Sequence, residues 1–265
     1  MRRIECIIMD WAGTAVDYGC FAPVAAFINA FKEIGITVST EQARRPMGMA
    51  KIDHIRELFA MEGIKDAFEE LNQRSWNEED VVTMNRTFER YLFASLANYT
   101  TPIPGVIQTL DILKEQGIKI GSTTGYTKAM MDIVCPNAAA QGYRPDHCVT
   151  PDHLPAGRPY PYMIYQNMID LSIPSVDYVV KYGDTIADIK EGLSAKVWTI
   201  GVVLGSNELG LTQEEVNEMD ATSLHQKKAE VRQQMLLAGA HYVVDSIEEL
   251  PAVIELINHK LNTLN

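Results

Sequence analysis

The chain has 265 residues, 46% hydrophobic and 22% charged, a globular composition long enough for a large core and one smaller domain. Its net charge of −12 argues against nucleic-acid binding, which needs a basic face. Anionic small molecules remain open as substrates, because a metal and a few basic side chains can set the local field.

The amino-terminal stretch MRRIECIIMDWAG is charged and then apolar, but its apolar run is too short to span a bilayer and meets Asp10 at once. The expectation is a soluble cytoplasmic protein with no targeting segment. Cys6, Cys20, Cys135 and Cys148 lack metal-ligand spacing and read as reduced, mostly buried thiols. Ile4 to Met9 reads as a short buried strand that ends in a turn. A helical region follows. APVAAFINAFKEIG carries Val24, Phe27, Ile28 and Phe31 at helical spacing and stops at Gly35. The next segment offers a cap at Ser39 or Thr40, a Pro-Gly break, and a second helix from about Met49. Asn77 to Ala97 is long and amphipathic, with Asn77 as cap and three acids in its first turn.

Strand signals resume at Gly117 to Gly121, at VDYVVKYGD, at VWTIGVV and at AHYVVDS, with a possible short strand at Asp146 to Val149. Helical stretches lie between them at Val106 to Gln116, Lys128 to Gln141, Pro161 to Leu171 and Ile186 to Leu193; the polar piece after Asn207 reads as a loop and a surface helix. Strand and helix in alternation indicate an α/β fold, a doubly wound parallel sheet covered on both faces. The helical block interrupts it as an insertion. The expected division is a core of residues 1–20 and 99–265, with residues 21–98 as an α-helical cap domain.

Ligands of open parallel sheets bind beyond the carboxyl ends of the strands. Asp10 sits at one such end, and Ser122, Thr123 and Thr124 follow another. Gly183-Asp184 ends a third with Asp188 a helical turn later, and Arg158 precedes a helix. Alone, each residue is more simply a turn, a cap or a surface charge. Together they suit phosphoryl transfer. A carboxylate can attack phosphorus to form an aspartyl-phosphate. Mg²⁺ on hard oxygen ligands such as Asp10 and Asp184 would neutralise the repulsion between the two anions. Thr124 and Arg158 would bind the phosphoryl oxygens.

The strings DWAGT, GSTTG, GRPYP and GDTIAD, in this order, resemble the motifs of the haloacid dehalogenase superfamily. The resemblance spans the whole chain. It implies a Rossmann-like core, a nucleophile at Asp10, and Mg²⁺ held by Asp10, the Ala12 carbonyl and Asp184, with Asp188 supporting the metal site. Phosphatases of the superfamily usually carry an acid two residues after the nucleophile, to protonate the leaving oxygen. Ala12 cannot do this. The cap offers Lys51 in an apolar neighbourhood, where desolvation favours a neutral amine able to form a Schiff base. His54, three residues on, could move protons.

The two oddities fit a broken carbon–phosphorus bond. An iminium beside the departing carbon is an electron sink, which requires a phosphonate with an aldehyde beta to phosphorus; phosphonoacetaldehyde is the smallest. The strings DWAGTAVDYGCFAP and RRPMGMAKIDHIR closely resemble the phosphonoacetaldehyde hydrolase (phosphonatase) family. That resemblance implies cleavage of 2-phosphonoacetaldehyde to acetaldehyde and phosphate with Mg²⁺. Asp10 would be the nucleophile and Lys51 the Schiff-base residue. Tyr126, Cys20 and Met47 would line the pocket, and a homodimer would form through cap helices such as Phe21 to Phe31. Ala15 departs from the pattern, where a hydroxyl residue is expected. Rival readings are a capped phosphatase or phosphomutase, opposed by Ala12; a metal-free dehalogenase, opposed by Asp184 and Asp188; and a non-catalytic scaffold.

Overall fold

A computed structural model of the chain describes residues 2–263. Met1, Leu264 and Asn265, the outermost positions of the expected core, lie outside the described residues. The sheet has five parallel strands in the order β2-β1-β3-β4-β5. They are β1 (Cys6–Met9), β2 (Lys119–Ser122), β3 (Val179–Gly183), β4 (Trp198–Val202) and β5 (Tyr242–Val244). β1, β2 and β3 are buried except for Lys119 at the start of β2, and mostly apolar apart from Lys181 inside β3, as expected of a sheet covered on both faces. β1 lies inside the sheet, between β2 and β3. Met9 pairs with Ser122 on one side and Tyr182 on the other, so the residues that follow the three strands emerge side by side. The winding direction reverses at β1, which opens a crevice at the carboxyl ends of these strands.

Five helices follow β1 as a block: α1 (Phe21–Glu33), α2 (Thr40–Arg44), α3 (Lys51–Ala60), α4 (Glu62–Asn72) and α5 (Glu78–Ser95). Asn77 caps α5 in a reciprocal arrangement with Asp80, and Ser39 caps α2 with Gln42 in the same way. The block has its own aromatic core. Phe27 of α1 stacks on Phe88 of α5 at 4.1 Å and on the His54 ring of α3 at 3.9 Å, and Phe31 packs on Phe59 at 5.0 Å. Phe27 and Phe31 are therefore enclosed within their own helical block.

The remaining helices surround the sheet: α6 (Val106–Glu115), α7 (Lys128–Ala140), α8 (Tyr162–Asp170), α9 (Ile186–Ser194), α10 (Gln213–Glu218), α11 (Ala221–Leu237) and α12 (Leu250–Thr263). Asp146 to Val149 is not a strand; it makes one isolated bridge, Val149 with Thr123. The Asp146 carboxylate takes the Ile120 amide that a ladder would have used. The four cysteines are free, Cys6 and Cys20 buried, Cys135 and Cys148 only half-buried. Among the described residues no helix is long and apolar enough to cross a membrane.

Candidate active site

Asp10 leaves β1 into a tight turn whose Trp11 carbonyl accepts the amides of Thr14, Ala15 and Val16 at 2.7–3.2 Å. Gly13 is required within that turn. Its φ is +87°, and a Cβ there would overlap the carboxylate of Asp184. Asp184 follows β3 and is fully buried. One oxygen accepts the Thr14 hydroxyl at 2.8 Å and the other accepts the Asn207 amide at 2.8 Å. Asp188 closes the α9 capping box with Thr185, accepting both its hydroxyl and its amide. Carboxylate oxygens of Asp10, Asp184 and Asp188 lie within 4.8 Å of one another, so these acids could hold a metal ion.

A buried ion network backs this cluster. Arg158 donates to Asp10 at 2.6 Å, to Thr123 at 2.8 Å and to Glu191 at 2.9 Å, and lies 3.1 Å from Asp188. Lys181, inside β3 and fully buried, reaches Thr123 at 2.7 Å, Asp188 at 2.9 Å and Glu191 at 3.2 Å. Lys181 and Glu191 are not among the site residues read from the sequence, and Thr123 is named there only as one of the hydroxyls after β2. A lone lysine in an apolar strand was the available signal for the first. Glu191, three residues after Asp188, shares its helix face.

Four buried carboxylates thus face two cations, which leaves two negative charges uncompensated. The titration behaviour carries the same imbalance. Burial, Asp10 and Asp188 push Asp184 well above the usual carboxylate range. Burial also raises Asp10, against the pull of Arg158. Asp188 goes the other way, to about 2: Arg158 and Lys181 outweigh its burial. A divalent cation on the outer face of Asp10 and Asp184 would balance the charge. The all-oxygen donor set suits a hard ion. Asp188 is already occupied by Thr185, Arg158 and Lys181, which fits it for support rather than direct ligation.

The helical block closes the site from the other side. Asp10, Ala12, Cys20, Met47, Lys51, Thr124, Tyr126 and Arg158 line one cavity of about 20 Å³, room for about one water. Cys20 arrives there because it turns the chain into α1 with φ +55°, while the Asp17 carboxylate accepts the Phe21 and Ala22 amides at 3.0 Å. Gly48 fits closely against Thr185 and Ala187, and Gly125 against the Met49 carbonyl, so cap and core loops meet closely at these two glycines.

Lys51 opens α3 and is buried. Its Nζ lies 4.0 Å from the Met47 sulfur and 5.0 Å and 5.9 Å from the ring centres of Tyr126 and Phe27. Among the described residues no carboxylate pairs with it. Desolvation holds its pKa below the ordinary lysine value, with Arg158 adding to the effect. The Tyr126 hydroxyl is buried without a partner, and the Tyr126 amide donates to Thr124 Oγ1 at 3.0 Å. His54 is not on the cavity wall. Its Nε2 donates to the Ala43 carbonyl at 3.0 Å, and burial holds the ring neutral, well below its ordinary pKa.

Residues 4–196 match a family model described as haloacid dehalogenase-like hydrolase. A phosphonoacetaldehyde hydrolase of Bacteroides fragilis is 63% identical over 262 residues, covering 99% of this chain and 100% of that one. One from Parabacteroides distasonis is 60% identical over 261 residues, covering 98% and 99%. A crystal structure of a phosphonoacetaldehyde hydrolase-like protein from Oleispira antarctica superposes with a TM-score of 0.96 at 36% identity, covering 98% of this chain and 94% of that one.

Proposed function

The chain belongs to the haloacid dehalogenase-like hydrolases and, within them, to the phosphonoacetaldehyde hydrolase family, and from that premise we propose that it cleaves the carbon–phosphorus bond of 2-phosphonoacetaldehyde to acetaldehyde and phosphate. The observation that carries this reading is the shared cavity: a buried amine without an acid partner, Lys51, faces the same small volume as Asp10.

In this reading the Lys51 amine attacks the aldehyde carbon and, with loss of water, forms a protonated imine. The Asp10 carboxylate attacks phosphorus in line. The electron pair of the carbon–phosphorus bond moves into the iminium, so the carbon leaves as an enamine and no acid is needed to protonate an oxygen leaving group. Ala12 is compatible with that chemistry. Protonation of the enamine and hydrolysis of the imine release acetaldehyde and regenerate Lys51. Water cleaves the aspartyl-phosphate and frees Asp10. Arg158, held by Asp188 and Glu191, directs its Nη2 at Asp10, where the phosphoryl oxygens would arrive, and Thr124 is a second donor nearby. Mg²⁺ held by Asp10, Asp184 and the Ala12 carbonyl would supply charge neutralisation between nucleophile and phosphonate. Tyr126, Cys20 and Met47 exclude water around the amine. We further propose a cytoplasmic homodimer formed through the cap, which analytical ultracentrifugation would reveal.

The test is incubation with phosphonoacetaldehyde and borohydride. Reduction should trap a covalent adduct at Lys51, located by peptide mass, and Lys51→Arg should abolish both adduct and acetaldehyde release. Normal turnover by Lys51→Arg would sink the Schiff-base account.

A further inference from the structure

The loop that holds the candidate metal ligand Asp184 also holds the cap. Arg44, the last residue of α2, reaches across to the core. Its Nη1 donates to the Gly19 carbonyl at 2.6 Å and to Asn207 Oδ1 at 3.1 Å. The Asn207 side chain answers, its Nδ2 donating to the Arg44 carbonyl at 3.3 Å. The guanidinium lies 4.7 Å from the centre of the Phe21 ring. Gly210 leaves space for it: with φ +66°, any side chain there would press on the guanidinium. Asn207 has a second task, because its backbone amide is one of the two donors that fix Asp184.

One residue therefore grips the cap with its side chain and an acid of the metal cluster with its backbone. The cavity beneath the cap holds about one water, so substrate entry requires the cap to lift, and lifting withdraws Arg44 from Asn207. We propose that Arg44 is a positioning residue that couples cap closure to the metal-binding geometry of Asp184. With the latch made, Asn207 is held from both sides and its amide stays on Asp184. With the latch broken, Asn207 loses its side-chain partner and Asp184 keeps only Thr14 as a fixed donor. Linkage then works in both directions: a closed cap raises metal affinity, and bound metal favours the closed cap by the same factor. The inference rests on the proposed Mg²⁺-dependent function for its biological meaning.

The experiment is calorimetric titration of Mg²⁺ into the substrate-free wild-type protein and the variants Arg44→Ala, Arg44→Lys and Asn207→Ala. Amide hydrogen exchange of residues 40–60 is followed with and without Mg²⁺. Arg44→Ala should bind Mg²⁺ roughly tenfold more weakly, within the usual span of site-to-site coupling. Arg44→Lys, which keeps the charge but not the fork, should fall between it and wild type. Asn207→Ala, which keeps the backbone amide, should weaken binding in the same direction. Mg²⁺ should slow exchange in residues 40–60 of the wild type and do so less in the variants. Wild-type Mg²⁺ affinity in both Arg44→Ala and Asn207→Ala, or equal protection by Mg²⁺ in all proteins, overturns the proposal. So does failure of the wild type to bind Mg²⁺. Should Arg44→Ala not fold, Asn207→Ala and Arg44→Lys decide the matter. The two readings fail separately: coupling without phosphonoacetaldehyde turnover removes the assigned substrate only, and turnover without coupling removes the latch only.

Discussion

Lys181→Met isolates the network behind Asp10. Methionine keeps most of the volume and removes the charge. In the wild type, the ammonium is fully buried and touches Asp188 at 2.9 Å, Glu191 at 3.2 Å and Thr123 at 2.7 Å. Without it, Arg158 alone faces Asp10, Asp188 and Glu191. Breaking a buried ion pair by removing one partner costs about 3–5 kcal/mol, because the stranded charge keeps its desolvation penalty. A typical domain has only about 5–15 kcal/mol in total. At roughly 2–4 °C per kcal/mol for large domains, the melting temperature should fall by roughly 10 °C. Added salt should recover little of this, since buried pairs are weakly screened. Mg²⁺ should raise the variant's melting temperature more than the wild type's, because the acids are then less compensated. Asp188 has a folded pKa near 2, below its unfolded value, so its contribution is present above about pH 4 and lost as pH falls through 2. In the variant that loss should begin at higher pH. Adding Glu191→Gln removes one stranded acid, and the double variant should be less destabilised than the sum of the singles by more than about 1 kcal/mol. Calorimetric melting between pH 3 and 8 reads all of these. A fall under about 2 °C, or strict additivity in the double variant, would refute the reasoning.

Ala12→Asp places a further carboxylate in the small cavity beside Asp10. Phosphonoacetaldehyde hydrolysis, followed by acetaldehyde release, should drop at least about a hundredfold, and retained activity would show that the alanine is incidental. Asp17 is buried and its pKa is pushed up to about 7 by desolvation, against the helix amides that favour its anion. A raised folded pKa means stability that is complete below about pH 4 and lost as pH rises through 7, a span of about 4 kcal/mol at most. Asp17→Asn should flatten that part of the stability–pH curve measured by chemical denaturation, and an unchanged slope would assign the titration to another group.

The elements that the sequence made legible share one physical feature, a strong period closed by turn or cap chemistry. The Asn77 box before α5 and the Thr185–Asp188 box before α9 are examples. α4 and α12 are not read from the sequence although each carries buried apolar residues, Ile64 and Phe68 in one and Val253, Ile254 and Ile257 in the other; α4 has no side-chain cap to signal its start, and the Ser246–Glu249 box ahead of α12 opens a short 3-10 turn that runs into it. The stretch after Asn207 holds two helices, α10 and α11, where one surface helix was expected. At the site, the residues that follow strands could be read directly, because parallel sheets direct them to one edge. Lys181, Thr123 and Glu191 could not be assigned, because their role depends on which faces of β3, β2 and α9 meet. Arg44 was hidden for a related reason. Its partner Asn207 is 163 positions away, and only the packing of the helical block on the core brings them together.

In the proposed mechanism Lys51 and Asp10 require opposite surroundings. The amine must be dry to shed its proton, whereas the carboxylate must stay anionic while buried. The fold places each requirement on a different wall of one cavity. Around Lys51 stand the Met47 sulfur and the faces of Tyr126 and Phe27, which desolvate the amine and offer it no carboxylate. Around Asp10 stand Arg158 and, behind it, Lys181, with a place for a cation on the other side. Since Lys51 and Met47 belong to the cap, the dry wall exists only while the cap is closed; an open cap would rehydrate the amine and return it toward the ordinary lysine value. The proposed reactivity of Lys51 would thereby be tied to the same closure that would carry Arg44 onto Asn207. Ala12 lies between the two walls. A carboxylate at that position would give the amine an ion-pair partner, raise its pKa, and add charge beside the nucleophile, so a small apolar side chain there keeps both environments intact.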